Sequence, residues 1–523
     1  MSNDTSMTKH DVNLTIDGLQ VTVPEGTTIL EAARKANVKI PTLCNHPDLC
    51  KRALCRICVV ECDGRAKLAA ACATEVWEGL SVVTNNPRLQ GIRKTIIELI
   101  LANHPQECLY CVRNKNCELQ ALAAVFGIRT SPFRREASYQ GSLSNRPPET
   151  AAATLVRDMR KCIKCGRCVE VCQEIQTVRA VNASHRSVNY EICTPFGQAL
   201  GDGPCILCFQ CAEVCPVGAI YENDQSAEVQ EALDKNDNEV IAQIAPSAAP
   251  AICVELGLPP GAVTTGMVVT AMKMMGFSHV FNASCFADMT ISVESTELFN
   301  RIKTSDKLPM VSSCSPGWVK FVKEFYPDLL DHLSTVESPE QIFKTAINEY
   351  SIKKFNGKNK KKMFVTIIPC AAKKYGTTPA DSEDSPDREI VLTARELIRM
   401  IRLTGIDLAA LPETDFSFFD DDIMTYNYRT KNGPGNIWEA FWKIYKAYDF
   451  STGPIDNTGK IEKPEDNGIE EAMLNLQGTK VKALVVNGLV NARAVMDSIR
   501  RGECDAALVG ILHCPMESET TRQ

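Results

Sequence analysis

Cysteine offers the most chemistry in this chain, which carries 24 of them. A thiolate serves as nucleophile, disulfide partner or soft metal ligand, and spacing separates these uses. Two runs stand out: Cys162-x-x-Cys165-x-x-Cys168-x-x-x-Cys172 and Cys205-x-x-Cys208-x-x-Cys211-x-x-x-Cys215-Pro216. The doubled run is the ligand pattern of two [4Fe–4S] clusters, the fourth cysteine of each run crossing to the other cluster. It assigns Cys162, Cys165, Cys168 and Cys215 to one cluster, and Cys205, Cys208, Cys211 and Cys172 to the second. Zinc competes for any single C-x-x-C but has no use for the four-cysteine run twice.

Two more donor sets lie upstream. Cys44, Cys55, Cys58 and Cys72 give one loop cysteine, a C-x-x-C pair and a distant fourth. That is a stretched version of plant-type [2Fe–2S] ligation. Four unrelated buried cysteines are the rival reading, and Cys50 and Cys62 in the same stretch read as ordinary thiols. His104-x-x-x-Cys108-x-x-Cys111, followed by Cys117, reads as a [4Fe–4S] site held by one imidazole and three thiolates. A neutral imidazole replacing an anionic thiolate makes such a cluster easier to reduce. The expected cofactors are thus one [2Fe–2S] and three [4Fe–4S] clusters, a path for single electrons. Cys193, Cys253, Cys285 and Cys504 have no assignable partners.

The elements that must hold these ligands are partly written in the sequence. Two β-rich runs within residues 12–23 meet at Asp17-Gly18, a hairpin signal. Thr28-x-x-Glu31 opens a helix as a capping box. From about residue 238 apolar strands alternate with helical stretches, the pattern of an α/β domain. Strand-like runs end at Ile244, Phe281, Val311, Ile368, Val486 and Leu512, with helix starts at Ser338-Pro339-Glu340-Gln341 and Thr393-x-x-Glu396. Open α/β sheets place ligands just beyond such strand ends. The basic run at 358–362 reads as a solvated loop. Asp420-Asp421-Asp422 and Gly433-Pro434-Gly435 interrupt the pattern between 404 and 470.

Composition narrows the class. The 523 residues exceed a single core, and 44% hydrophobic with 23% charged residues is ordinary for a globular protein. A net charge of −7 leaves no basic footprint for nucleic acid. No apolar stretch has the length of about 18–20 residues that crosses a bilayer, and the first residues lack a secretory pattern. A cytoplasmic location follows as the expectation, and a reducing compartment favours metal binding over disulfides. No G-x-G-x-x-G follows a strand, so flavin or pyridine nucleotide is expected on a partner.

Three further stretches carry a resemblance to iron-only ([FeFe]) hydrogenases, which together with the cluster relay spans nearly the whole chain. Against the family's Thr-Ser-Cys-Cys-Pro-x-Trp stands Ser312-Ser313-Cys314-Ser315-Pro316-Gly317-Trp318. Against Met-Pro-Cys-x-x-Lys-x-x-Glu stands Ile368-Pro369-Cys370-Ala371-Ala372-Lys373-Lys374-Tyr375-Gly376. Against Glu-x-Met-x-Cys-x-x-Gly-Cys stands Gly510-Ile511-Leu512-His513-Cys514-Pro515-Met516-Glu517-Ser518, with no glycine-rich follow-on before Gln523. The resemblance places the four cubane ligands of the hydrogen-activating centre at Ser315, Cys370, Cys514 and Ser518. Two of the four, including the thiolate bridging to the di-iron unit, are serines, poor donors for soft iron–sulfur sites.

The resemblance also implies roles for surviving residues. Cys314 matches the thiol that passes protons to the di-iron site, and Glu294, Glu297 and Ser334 match the onward path. Lys373 matches the lysine that contacts a cyanide, and Ala245, Pro246 and Ser247 match the pocket wall. Cys314, Cys370 and Cys514 together would supply three thiolates for a further [4Fe–4S] cluster, with no thiolate left to tether a di-iron unit. The implied fold is multidomain α+β and α/β. A β-grasp [2Fe–2S] domain spans 10–88, a one-histidine/three-cysteine domain 89–130, a two-cluster ferredoxin domain 152–225 and an iron-hydrogenase-like α/β domain 238–523. The implied function is an iron–sulfur electron-transfer subunit, as in multimeric NAD(P)-linked electron-bifurcating complexes. Its partners would be flavin- and NAD(P)-binding and iron–sulfur subunits, with ferredoxin as a further donor or acceptor. An active hydrogenase with atypical cubane ligation is the alternative, and a redox or H2 sensor a third reading.

Overall fold

The computed structural model describes residues 10–63, 68–133, 147–151, 154–235, 238–313, 315–354, 361–369, 371–376, 388–417, 468–476 and 479–512. Cys314, Cys370, His513, Cys514 and Ser518 lie outside the described residues.

The chain opens with β1 (Asp11–Ile16) and β2 (Leu19–Pro24), an antiparallel hairpin in register Ile16↔Leu19. Asp17 and Gly18 take φ of 49° and 85°, the two positive angles a tight hairpin needs. α1 (Ile29–Lys35) starts at the Thr28–Glu31 capping box, with both reciprocal bonds present. β3 (Val59–Cys62), β4 (Ala69–Ala70) and β5 (Leu80–Val83) complete a sheet in the order β2-β1-β5-β3-β4, in which β1 and β5 run parallel. α1 covers one face of it, burying Ile29, Leu30, Ala32 and Ala33.

α2 (Pro87–Ala102) leads away, with Asn86 as N-cap and Pro87 in the first turn. Its buried Arg93 reaches back to the carbonyls of Ile57 (3.1 Å), Val59 (2.7 Å) and Thr84 (2.9 Å), which fixes the helix against the first sheet. α3 (Glu118–Val125) follows the 104–117 loop. Short elements then build the next unit: β6 (Glu149–Ala151), β7 (Leu155–Arg157), α4 (Arg167–Glu170), β8 (Asn182–Ser184), β9 (Glu191–Cys193), α5 (Gln210–Glu213) and β10 (Ile220–Glu222). The sheet order is β10-β7-β6, with β8–β9 a separate ribbon.

The remaining half is α/β, as the alternation of strands and helices suggested, and its strands divide into two sheets. α6 (Ser226–Asp234) leads into β11 (Asn238–Ile244), α7 (Ala248–Leu256), α8 (Thr265–Met274), β12 (His279–Asn282) and α9 (Ala283–Thr304). Next come β13 (Met310–Val311), α10 (Pro316–Phe325), α11 (Pro339–Lys354), β14 (Lys361–Ile368), β15 (Arg388–Thr393) and α12 (Ala394–Thr404). β16 (Ile469–Leu476), β17 (Thr479–Asn487), α13 (Leu489–Arg500) and β18 (Leu508–Leu512) close the described chain. One sheet is all parallel, β12-β11-β14-β15; the other, β13-β18-β17-β16, is parallel except for β16. The split follows from chain order: β13 pairs with β18, nearly 200 residues downstream, and not with its neighbour β12.

A continuous core joins the cysteine-rich unit to the second sheet. Leu207, Val217 and Ile220 share it with Trp318 and Phe321 of α10 and Met496 of α13. The first sheet keeps its own core, centred on Ala242, Ile244, Val365 and Leu392.

Candidate functional site

The two long cysteine runs fold into the same local shape. Lys164 and Leu207, the second residues after Cys162 and Cys205, have φ of 57° and 56°. Gly166 and Phe209, each following the middle cysteine, have φ of 80° and 68°. These left-handed turns aim amides at sulfur: Lys164 N donates to Cys162 Sγ and Leu207 N to Cys205 Sγ, both at 3.4 Å. Holding lysine, leucine and phenylalanine at positive φ costs roughly 1–2 kcal/mol per residue, a cost repaid only if the turn has a task.

Cys162, Cys165, Cys168 and Cys215 line one small cavity with Arg157, Gly166 and Val217. Cys215 comes from the second run, so the crossed pattern is realised in space. Burial pushes Cys162 up to about 11, and Cys165 and Cys168 higher still. Thiols so buried keep their protons unless a cation replaces them, and a cluster core supplies that charge. The second run converges likewise. Cys211 is raised first by burial and then by Cys208, Cys205, Cys168 and Cys172. Ala180 N donates to Cys172 Sγ at 3.2 Å. The donor chemistry therefore fits two clusters.

In the first domain Cys58 and Cys72 approach to 3.3 Å between sulfurs, and Cys55 N donates to Cys44 Sγ at 3.5 Å. Within each pair one thiol is favoured as thiolate: Cys55 draws Cys44 down to about 6, and Cys72 draws Cys58 down to about 7. Their partners Cys55 and Cys72 are pushed up. Four sulfurs arranged as two proton-sharing pairs suit a soft metal centre. Cys62 sits in the apolar core and Cys50 is exposed.

At the third site His104 Nδ1 is buried with no hydrogen-bond partner. Burial also lowers its pKa, keeping the imidazole neutral and able to bind metal. Cys117 is raised by burial and then by Cys111 and Cys108, so the three thiols are near one another. Among the described residues no three His, Cys, Asp or Glu side chains close on a single metal ion. What they offer at Cys162, Cys165, Cys168 and Cys215 is a cavity lined with sulfur.

The ligand loops are packed on one another. A Cβ added at Gly218 would stand 2.7 Å from Cys111 Sγ, so glycine is needed for the third loop to approach the ferredoxin-like unit. Glu118 N donates to Pro216 O at 3.0 Å, and Arg113 Nη2 to Ala212 O at 3.0 Å.

In the C-terminal half the described residues of the first two hydrogenase-like stretches help to line a cavity of about 360 Å3, and none of the third stretch's described residues lines it. Ser313, Ser334 and Lys373 line it, joined by Glu340 of α11, Tyr375 and Glu389 of β15. Lys373 Nζ lies 2.5 Å from Glu340 Oε1. Ser334 Oγ donates to Glu297 Oε2 at 2.9 Å, and Arg301 Nη2 to Glu297 Oε1 at 2.6 Å. Glu294, one turn earlier on α9, is buried. Ser315 is buried as N-cap of α10, ahead of the buried Trp318. Ala245, Pro246 and Ser247 turn from β11 into α7 and are not among the described residues lining the cavity. Glu389 carries no motif, and Glu340 reads in the sequence only as part of the helix start Ser338-Pro339-Glu340-Gln341, so neither was assigned to the site. Burial and the neighbouring Glu340 push Glu389 up to about 7.

Comparison with known proteins places these features in families. Residues 238–517 match the model for the iron only hydrogenase large subunit, C-terminal domain. Residues 9–87 match a 2Fe-2S iron-sulfur cluster binding domain. Residues 93–132 match the NADH-ubiquinone oxidoreductase-G iron-sulfur binding region, and 153–221 the ferredoxin-like domain of NADH-quinone oxidoreductase subunit 3. The NADP-reducing hydrogenase subunit HndD of Solidesulfovibrio fructosivorans is 36% identical over 96% of this chain and 87% of that protein. Iron hydrogenase 1 of Clostridium pasteurianum is 32% identical over 95% of this chain and 86% of that protein. The alpha subunit of the NADPH-Fe(3+) oxidoreductase of Geobacter sulfurreducens is 35% identical over 40% of this chain and 24% of that protein.

Proposed function

The chain belongs to the iron-only hydrogenase large-subunit family, and on that premise we propose that it is the electron-carrying subunit of a hetero-oligomeric oxidoreductase. In this reading it passes single electrons between a partner and its interior without turning over H2 itself. The observation that carries the reading is the convergence of Cys162, Cys165, Cys168 and Cys215 on one cavity, against which the other ligand loops are packed. When bound, iron–sulfur clusters supply one-electron carriers of tunable potential. The chain's part is to hold them: Cys44, Cys55, Cys58 and Cys72 for a [2Fe–2S] cluster, and His104, Cys108, Cys111 and Cys117 for a [4Fe–4S] cluster. The two crossed sets hold two more. The amides of Lys164 and Leu207 donate to the sulfurs, and the buried Arg157 lines the Cys162/Cys165/Cys168/Cys215 cavity.

The partner assignment rests on relatives. One is named as a subunit of an NADP-reducing hydrogenase and another as a subunit of an NADPH-Fe(3+) oxidoreductase. A flavin- and nucleotide-binding partner docking at the N-terminal half supplies what this chain lacks by motif. The inactive C-terminal site rests on Ser315 and Ser518, which stand at ligand positions of the family and offer hydroxyls where soft iron needs thiolate.

Iron and sulfide quantitation with EPR on anaerobically prepared protein tests the relay, the expected result being one [2Fe–2S] and three [4Fe–4S] signals. Zinc at the paired runs would overturn it. Native purification is expected to yield a hetero-oligomer. An active hydrogenase with unusual ligation is favoured by one observation, the intact Ser334–Glu297–Arg301 network beside the cavity. Infrared spectroscopy separates the two readings: CO and CN bands with robust H2 evolution would replace the first with the second.

A further inference from the structure

Arg167 stands between two ligand positions, in Cys165-Gly166-Arg167-Cys168. Its side chain is 5% exposed, and its guanidinium reaches into three other ligand loops. Nη2 donates to Asn45 O at 2.8 Å, one residue after Cys44. Nη1 and Nη2 donate to the Glu118 carboxylate at 2.6 and 2.8 Å, one residue after Cys117. Nη1 also lies 3.4 Å from Val214 O, one residue before Cys215. Beside it Gly166, at φ of 80°, leaves room for Leu54: a Cβ there would meet Leu54 Cδ1 at 2.9 Å, and Leu54 precedes Cys55. The [2Fe–2S] loop and the one-histidine loop are thus both held to the Cys162/Cys165/Cys168/Cys215 site through one side chain.

We propose that Arg167 is the positioning residue of the relay, its guanidinium locking the Cys44 and Cys117 loops onto the central cysteine site while keeping a fixed positive charge between them. The proposal rests on the ligand assignment given under Proposed function. Arginine suits the task because it is always protonated and its planar fork serves a carboxylate and two carbonyls at once. Lysine would keep the charge but not the fork; glutamine would lose the charge and most of the fork. A cation beside a cluster favours its more negative, reduced state, so charge and geometry have separable signatures.

The test uses iron-loaded full-length protein carrying Arg167→Lys or Arg167→Gln. Iron and sulfide content come first: a wild-type protein lacking the clusters would sink the ligand assignment and not this proposal. With iron retained, both variants are expected to weaken the spin–spin broadening between the [2Fe–2S] and neighbouring [4Fe–4S] EPR signals. Both should also speed amide hydrogen exchange across 44–55 and 108–118 by about tenfold, equivalent to about 1.4 kcal/mol. Only Arg167→Gln should also shift the midpoint potential of the adjacent cluster to more negative values. Unchanged broadening and exchange in both variants would overturn the proposal. If both lose iron, Glu118→Gln, which leaves the guanidinium in place, decides. Faster exchange across 108–118 with full iron supports the lock, and unchanged exchange overturns it.

Discussion

His104 shows what burial does to one side chain. Burial holds its imidazole neutral and leaves Nδ1 without a hydrogen-bond partner. His104→Cys is expected to keep the cluster and lower its midpoint potential, because thiolate adds a negative charge to the ligand set. An EPR-monitored redox titration measures the shift, and an unchanged potential would remove His104 from the ligands. Glu389 behaves in the opposite sense. Burial and Glu340 raise its pKa to about 7, partly offset by Lys344. Below the ordinary carboxylate value native and unfolded chains both bind this proton. Between that value and about pH 7 the native chain binds more protons, so stability falls as pH rises through the window and levels off above it. The contribution lost is on the order of 3 kcal/mol. Glu389→Gln should flatten the dependence of the urea midpoint on pH between about 4.5 and 7, and a slope equal to wild type would contradict the assignment.

At the scale of elements, close packing brings the cysteine-bearing loops together, as the proposed relay requires. Between the ligand loops Gly218 is the tightest glycine, since a Cβ there would stand 2.7 Å from Cys111 Sγ, with Val112 and Arg113 at ordinary contact distance. Gly218→Ala forces the 108–117 loop outward, an overpacking cost of roughly 1–3 kcal/mol. The expected result is selective loss of the one-histidine cluster, read as one missing [4Fe–4S] EPR signal, with the paired-run signals retained. Much at this scale was legible in the sequence, because it is local. The Asp17-Gly18 turn and the Thr28 and Thr393 capping boxes form as their residue types dictate. Strand ends at Ile244, Val311, Ile368 and Leu512 also fall where the apolar runs stop. The two-sheet division was not legible. β13 has two residues and finds its partner through β18, a pairing set by tertiary packing with no periodic signal. The turns within the cysteine runs were hidden for a different reason: Leu207 and Phe209 do not advertise positive φ, which they adopt in the turn where Leu207 N meets Cys205 Sγ. The cavity acids Glu340 and Glu389 meet only after α11 and β15 pack.

Across the whole molecule, the cysteine-rich unit is fixed to the C-terminal half by a small number of charges, two of them with no access to water. Lys374 and Glu396 are both 0% exposed. Lys374 Nζ lies 2.7 and 2.8 Å from the two Glu396 oxygens and donates to Asn223 O at 2.7 Å, just beyond β10. Glu396 also accepts from Gln225 N at 2.7 Å and completes the Thr393 capping box of α12. Around this pair Arg395 reaches Glu222, Glu213 and Glu255, and Arg493 of α13 donates to Thr177 O at 3.0 Å. These contacts, with the shared core at Trp318, hold the cysteine-rich unit against the C-terminal half. A buried ion pair adds little net stability over an apolar pair, but removing one partner strands the other charge. Lys374→Met should therefore destabilise by about 3–5 kcal/mol, read as a lower urea midpoint in pulse proteolysis of the full chain. Adding Glu396→Gln removes the stranded charge and keeps one acceptor oxygen, which can serve either Gln225 N or the α12 cap, so the double variant should recover part of the loss. If the double variant is no more stable than Lys374→Met, an unpaired carboxylate is not what the lysine prevents, and the junction owes its stability to packing alone.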